Sequence, residues 1–206
     1  PPGLRDGFTH ALVIGVALDP DIIRGIAGGP TREYLHEYRR ANELLSALVR
    51  TAADALASAG RRADPVEPPV RDFDRAAFRT RFPHKTAATR AGIGWIGKND
   101  LLITPRFGSA VRLATVLTDA DLGETEPVDR SRCGACTACV EACPARAISG
   151  RHWEAGLDCD DFFDVRACHR TAKGFDEANG FGATICGICI AVCPWTRRYT
   201  ENPIPV

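Results

Sequence analysis

Cys133-Gly-Ala-Cys136-Thr-Ala-Cys139-Val-Glu-Ala-Cys143-Pro144 is the stretch on which the reading of this chain turns. Three thiols at i, i+3 and i+6 can wrap one iron–sulfur cubane from a single tight loop. A fourth, followed by proline, opens the next segment and reaches a second cluster. Zinc takes four ligands in a tetrahedron, usually from two separated pairs, so one compact run suits it less well. Further along, Cys186-Gly-Ile-Cys189-Ile-Ala-Val-Cys193-Pro194 repeats the pattern with one cysteine fewer. Cross-ligation between the runs predicts one 4Fe–4S cluster on Cys133, Cys136, Cys139 and Cys193. The other takes Cys143, Cys186, Cys189 and a fourth ligand, for which Cys168 and Cys159 compete. Cys168 is nearer the second run and is the expected ligand, which leaves Cys159 an ordinary thiol.

All nine cysteines fall between 133 and 193. Such clustering speaks for metal in a reducing compartment rather than for disulfides spread through a secreted fold, so a cytoplasmic location is expected. The chain has 206 residues with 26 Lys plus Arg against 26 Asp plus Glu, a net charge of zero. That balance offers no basic stripe for a polyanion, and nucleic acid is not an expected partner. No apolar run approaches the roughly 20 residues of a membrane span. The sequence opens Pro1-Pro2 and contains no Met, so a segment before Pro1 is expected.

Ala11 to Leu18 is short, continuously apolar and followed by Asp19-Pro20, the pattern of a buried strand. Asp21 to Pro30 is expected to be a loop. A long helix is predicted from Arg32 to Ala59, with Thr31 as N-cap, Gly60 as stop and a core face through Leu35, Tyr38, Leu45, Leu48, Val49, Ala52 and Leu56. Pro65, Pro68 and Pro69 make 61–72 an extended connection or edge strand. A helix from Ala76 to Arg90, interrupted at Pro83, comes next. Leu101 to Thr104 and Val111 to Thr118 bracket Pro105-Arg-Phe-Gly108 and predict a β-hairpin. A polar stretch after Asp119 places a domain boundary near 125, giving units 1–125 and 126–206.

Gly92-Ile-Gly94-Trp-Ile-Gly97 matches the dinucleotide fingerprint, yet it follows a helical stretch and precedes a strand, the reverse of what that fingerprint needs. A tight turn where the backbone approaches itself or a flat ligand is the alternative.

Ala91-Gly-Ile-Gly-Trp-Ile-Gly-Lys-Asn99, then Leu-Leu-Ile-Thr, then two cysteine runs ending in Cys193-Pro-Trp195, resembles the epoxyqueuosine reductases. Leu101 to Asp119 is also similar to the respiratory reductive dehalogenases. The resemblance implies an α+β protein: a nitroreductase-like α/β domain of the cobalamin-binding type followed by a two-cluster ferredoxin-like domain. It further implies an oxidoreductase that passes electrons through two 4Fe–4S clusters to a cobalamin or substrate pocket. A donor such as flavodoxin or ferredoxin and a small-molecule substrate complete the picture. The chain departs from both families at the chemistry. The ungapped equivalent of the epoxyqueuosine reductase proton donor is Phe78, with Asp72 and Asp74 offset, and none of Tyr34, Tyr38 and Tyr199 matches the dehalogenase acid.

His84 and Lys98 are therefore the candidate catalytic residues, with Lys85 beside His84 as another proton source. Gly92, Gly94, Gly97, Lys98, Asn99 and Arg112 are the candidate cofactor-binding set. His169 is expected to pack against a cluster, and Trp195 to shield one from solvent. The competing reading is a non-catalytic electron-transfer protein or redox subunit. A bare two-cluster module needs only about 60 residues by the span of its cysteines, so the long N-terminal part favours the enzyme.

Overall fold

The computed structural model describes residues 7–68, 74, 76–80 and 82–202. Strand β1, His10–Ala17, pairs antiparallel with β5, Val111–Thr118, and β5 pairs on its other side with β2, Ala63–Val66. The order is β1-β5-β2, so the strand rich in apolar residues on both faces lies in the middle. The alternation of β5 sorts its residues between two layers. Ala114 and Val116 join Ile14 and Val16 beneath Leu45, Val49 and Ala53 of helix α2, Arg32–Ser58. Leu117 points the other way, to Phe82 and Ala87, with Ala11 and Val13 of β1. Ala87 belongs to helix α3, His84–Arg90. The central strand β5 is the buried one; β1, expected to be buried, is an edge strand with no fully buried residue and with Leu12 37% exposed.

Helix α2 begins and ends where the sequence places it. The Thr31 hydroxyl accepts the Tyr34 N–H at 3.2 Å, and Ala59 is the C-cap before Gly60, whose φ is +75°. Its buried stripe runs through Leu35, Ala41, Leu45 and Val49. The Pro-containing segment is an edge strand over Ala63–Val66, and Pro65 lacks the N–H that an inner strand would need. Pro69 and Asp72 lie outside the described residues.

Three expectations are corrected. Residues 21–30 are not all loop: α1 spans Pro20–Gly25, started by the Asp19 carboxylate, which accepts the Asp21 and Ile22 N–H groups. The helix predicted from Ala76 exists only over His84–Arg90, because the Asp74 carboxylate binds the Ala76 and Ala77 N–H groups and a bridge to Arg79 closes the segment as a turn. The predicted hairpin does not form. Strand β4, Leu102–Ile103, pairs with β3, Trp95–Ile96, while β5 goes to the main sheet. The intervening loop is bridged at Thr104 and Gly108 and seats against the C-terminal helix α7, Pro194–Glu201. A Cβ on Gly108 would collide with the Thr196 backbone there.

The C-terminal part adds α4 (Ala138–Ala142), a 3-10 turn over Cys159–Asp161, α5 (Val165–Asn179), α6 (Ile188–Ala191) and α7. Its apolar residues share cores with the first half. Leu18, Ile23, Ile26 and Leu35 pack with Phe181, Ile185, Ala191 and Tyr199. Trp95, Ile96 and Ile103 pack with Trp153, Phe162 and Cys193. Packing therefore runs across position 125. Among the described residues no helix is long and apolar enough to cross a membrane.

Candidate iron–sulfur centre and adjoining cavity

The short helices α4 and α6 each follow the first cysteines of a run, and they pack on one another. This pairing sends the last cysteine of each run towards the other. Cys133, Cys136, Cys139 and Cys193 consequently line one cavity of about 210 Å³, together with Lys98 and Trp195. Burial first, then the nearby thiols of Cys133, Cys193 and Cys136, push the Cys139 pKa up to about 11. The second group is equally close-knit. Cys168 feels Cys186 and Cys143, and Cys189 feels Cys186, Cys168, Cys139 and Cys143. Burial is the largest cause of the raised pKa in both, with Cys168 reaching about 11.

The Cys139, Cys168 and Cys189 thiols, held up by burial and by their neighbours, make unfavourable thiolates by themselves; cationic iron offsets that cost. Among the described residues no three His, Cys, Asp or Glu side chains converge as a site for a single metal ion. Four thiols around one small cavity are the donor set that a 4Fe–4S cluster takes. Cys159 stands apart from both groups. Its thiol donates to the Asp100 carboxylate at 3.3 Å, which also receives the Lys85 ammonium at 2.5 Å.

The glycine-rich segment serves this centre. Gly92 has φ +71°, and a Cβ there would sit 2.7 Å from the Glu126 carbonyl oxygen. A Cβ on Gly94 would run into the Ile103 carbonyl across the β3–β4 ribbon. The glycines are the tight-turn alternative: they let backbone approach backbone. The turn they form carries Lys98 and Asn99, both buried, into the cysteine region. The Lys98 ammonium donates to the carbonyl oxygens of Gly134 at 3.0 Å and Cys136 at 2.9 Å. Asn99 donates to the Cys189 carbonyl at 3.3 Å. One dipeptide ties both cysteine runs to the ribbon.

A second cavity, about 1510 Å³, opens between α2, β5 and α3. His84 and Arg112 line it, as do Tyr34, Tyr38, His169 and Ile190. His84 Nδ1 lies 2.9 Å from the Thr115 hydroxyl, which fixes the ring against β5. Arg112 donates to Asn42 Oδ1 at 3.0 Å and lies over the Tyr38 ring, 4.5 Å from its centroid. Of the residues expected at one pocket, the structure brings His84 and Arg112 to this cavity and Lys98 and Asn99 to the small cysteine-lined one, while Gly92, Gly94 and Gly97 line neither. Tyr34, Tyr38 and Asn42 escape the sequence reading as cavity residues. They recur at i, i+4 and i+8 on α2, a stripe that sequence alone cannot divide between core and cavity wall.

Residues 132–196 match the 4Fe-4S double cluster binding domain family. The epoxyqueuosine reductase of Cellulophaga algicola is 34% identical over 122 residues, covering 59% of this chain and 40% of that protein. The tetrachloroethene reductive dehalogenase of Dehalobacter restrictus is 36% identical over 124 residues, covering 56% of this chain and 22% of that protein. The chain spans between 32% and 40% of the length of these epoxyqueuosine reductases. In fold it is similar to a catabolic reductive dehalogenase, with a TM-score of 0.67 at 20% identity, covering 93% of this chain and 27% of that one. An epoxyqueuosine reductase solved with an epoxyqueuosine-modified tRNA stem loop gives 0.60 at 21% identity, over 91% of this chain and 48% of that one. The mixed α/β chain thus carries a double-cluster domain and is related to both the epoxyqueuosine reductases and the reductive dehalogenases.

Proposed function

We propose that this chain is an iron–sulfur reductase of the epoxyqueuosine reductase type, working on a substrate held in the large cavity. Cys133, Cys136, Cys139 and Cys193 hold one 4Fe–4S cluster, and Cys143, Cys168, Cys186 and Cys189 the other. The carrying observation is the position of the second set. Ile190 and His169, which directly follow Cys189 and Cys168, are themselves walls of the 1510 Å³ cavity. When bound, the clusters supply single electrons, and a corrinoid in the cavity supplies a strongly reducing cobalt.

The cavity suits a large flat ligand with polar edges. Tyr34, Tyr38 and Ile190 offer apolar surface, while Arg112, Asn42 and His84 offer hydrogen bonds and charge. His84, held by Thr115, provides a group whose ordinary pKa lies near 7, suited to proton delivery. Lys85 also lines the cavity, but its ammonium is engaged by Asp100. Phe78 lines the same cavity with no proton to give. A small organic substrate agrees with the zero net charge. The tRNA stem loop of the structural relative adds a modified nucleoside to the candidates.

Anaerobic reconstitution followed by cob(II)alamin titration under EPR tests this. About eight irons per chain and a shift to a base-off cobalt signal are expected. Eight irons with the signal of free cobalamin would remove the corrinoid from the proposal, leaving clusters that reduce a substrate directly or serve a partner protein.

A further inference from the structure

We propose that the surface built from Arg132, Trp195 and Arg198, above the buried Trp95 ring, is the docking site for an acidic one-electron carrier protein, which delivers electrons to the cluster of Cys133, Cys136, Cys139 and Cys193. The inference rests on the cluster assignment proposed above.

The two cysteine sets are not equivalent. The set containing Cys168 and Cys189 borders the large cavity through His169 and Ile190. The other set lines its own small cavity, and Cys139 on α4 and Cys189 on α6 sit on two helices that pack together. An electron destined for the large cavity therefore has its outer station at the first set. The surface beside that station combines aromatic rings with arginines. Trp95 and Trp195 meet edge to face, their ring centroids 4.9 Å apart. Trp95 packs with Cys133 and Cys193, and Trp195 is half-buried beside the four thiols.

Each indole carries a guanidinium. Arg132, one residue before Cys133, lies over Trp95 at 5.6 Å, and Arg198, one turn after Trp195, lies over that ring at 4.7 Å. Both arginines are exposed. Among the described residues neither forms an ion pair with a carboxylate. A guanidinium resting on an aromatic face is held in position yet keeps its charge towards solvent. Two such charges flanking an aromatic path to the thiols suit a transient partner with an acidic surface, steered to the site electrostatically. In the transfer, one electron leaves the carrier, which is oxidised by one unit, and the cluster core is reduced by one unit. No bond forms or breaks, and no proton is required. RNA would also be attracted by two arginines, but the cavity proposed for substrate borders the other cysteine set, so a protein donor is favoured.

The test uses the reconstituted two-cluster protein and the Arg132→Glu/Arg198→Glu double variant. Anaerobic stopped-flow follows bleaching of the cluster absorbance by reduced flavodoxin, an acidic one-electron donor, at low and high salt. Charge reversal is expected to lower the second-order rate about tenfold or more at low salt, the gap closing as salt rises. Photoreduction by uncharged 5-deazaflavin proceeds alike in both proteins, and the Arg132→Lys/Arg198→Lys variant keeps most of the flavodoxin rate. Equal flavodoxin rates and salt slopes in the wild-type and charge-reversed proteins would overturn the proposal. So would weaker binding of a tRNA stem loop with the flavodoxin rate intact, which would make the patch a nucleic-acid surface. If the double variant loses iron, Arg198→Glu alone decides through its Kd for oxidised flavodoxin at low salt: weakening supports the site and an unchanged Kd refutes it. A wild-type chain with fewer than about eight irons would instead overturn the cluster assignment itself.

Discussion

Lys98 is a cation held out of water, 5% exposed, by two carbonyl oxygens of the first cysteine loop. Hydrogen bonds from a charged donor contribute about 1.5–3 kcal/mol, and removing the donor leaves buried carbonyls unmatched. Lys98→Met should therefore destabilise the protein by about 3 kcal/mol. Iron should fall from about eight towards about four per chain as the Cys133 set loses its cluster. Iron analysis with thermal unfolding checks both. Cys159 and Cys168 form a second single-residue contrast. Cys168 lies among the thiols of Cys143 and Cys186, while Cys159 faces Asp100 and Lys85. Cys159→Ser should keep about eight irons and Cys168→Ser about four, as read by iron and sulfide analysis. His84 is legible in the sequence as a titratable group near the glycine turn. Lys98 is equally visible, but which cavity it enters depends on the path of the turn.

Among the elements, the β3–β4 ribbon and helix α5 give glycine opposite meanings. On the ribbon, a Cβ at Gly94 meets the Ile103 carbonyl, a backbone atom that cannot step aside. Gly94→Ala should cost more than about 3 kcal/mol and displace Lys98 with it. Gly174 lies inside α5 with nothing within 4 Å of an added methyl and no positive φ. Gly174→Ala should stabilise by about 0.5–1 kcal/mol, because alanine loses less backbone entropy on forming helix. Thermal unfolding of the reconstituted variants measures both signs. Local signals also explain which elements are readable. α2 has a cap, a stop and a periodic stripe, all encoded nearby. The Leu101–Thr118 region reads as a hairpin because turn chemistry at Pro105 and Gly108 is a local cue. Its strands instead find partners elsewhere, at Trp95 and at His10, which no local cue can show.

At the scale of the whole molecule, contacts distant in sequence bind the first half to the cysteine region. Tyr199 donates its hydroxyl to the Leu18 carbonyl at 2.8 Å, across 181 positions. Tyr199→Phe leaves that carbonyl unmatched and should cost about 1–3 kcal/mol. Burial is the main cause that raises the Tyr199 pKa above 10.0. Because the folded value exceeds the unfolded one, its contribution is complete below pH 10.0 and is lost as pH rises through the raised value. Denaturant titrations above that pH should show a shallower decline in Tyr199→Phe than in wild type. Residues 126–206 expressed alone would expose Phe181 and Ile185, which pack on Leu18, Ile23 and Ile26. That fragment should fail to give the dispersed NMR spectrum that the full chain gives.

The sequence by itself determined the chemistry of the metal centre, because thiol spacing within a tight loop sets which irons those thiols can reach. It also determined β1 and α2, whose apolar periods and end signals act over neighbouring residues. Tertiary structure alone decided between Cys168 and Cys159, where Lys98 and Arg112 point, and which faces of the two cysteine sets meet the large cavity and the solvent. Those outcomes depend on packing between residues that lie far apart along the chain, such as Trp95 on Cys193 and Asn99 on Cys189. No local pattern carries that information.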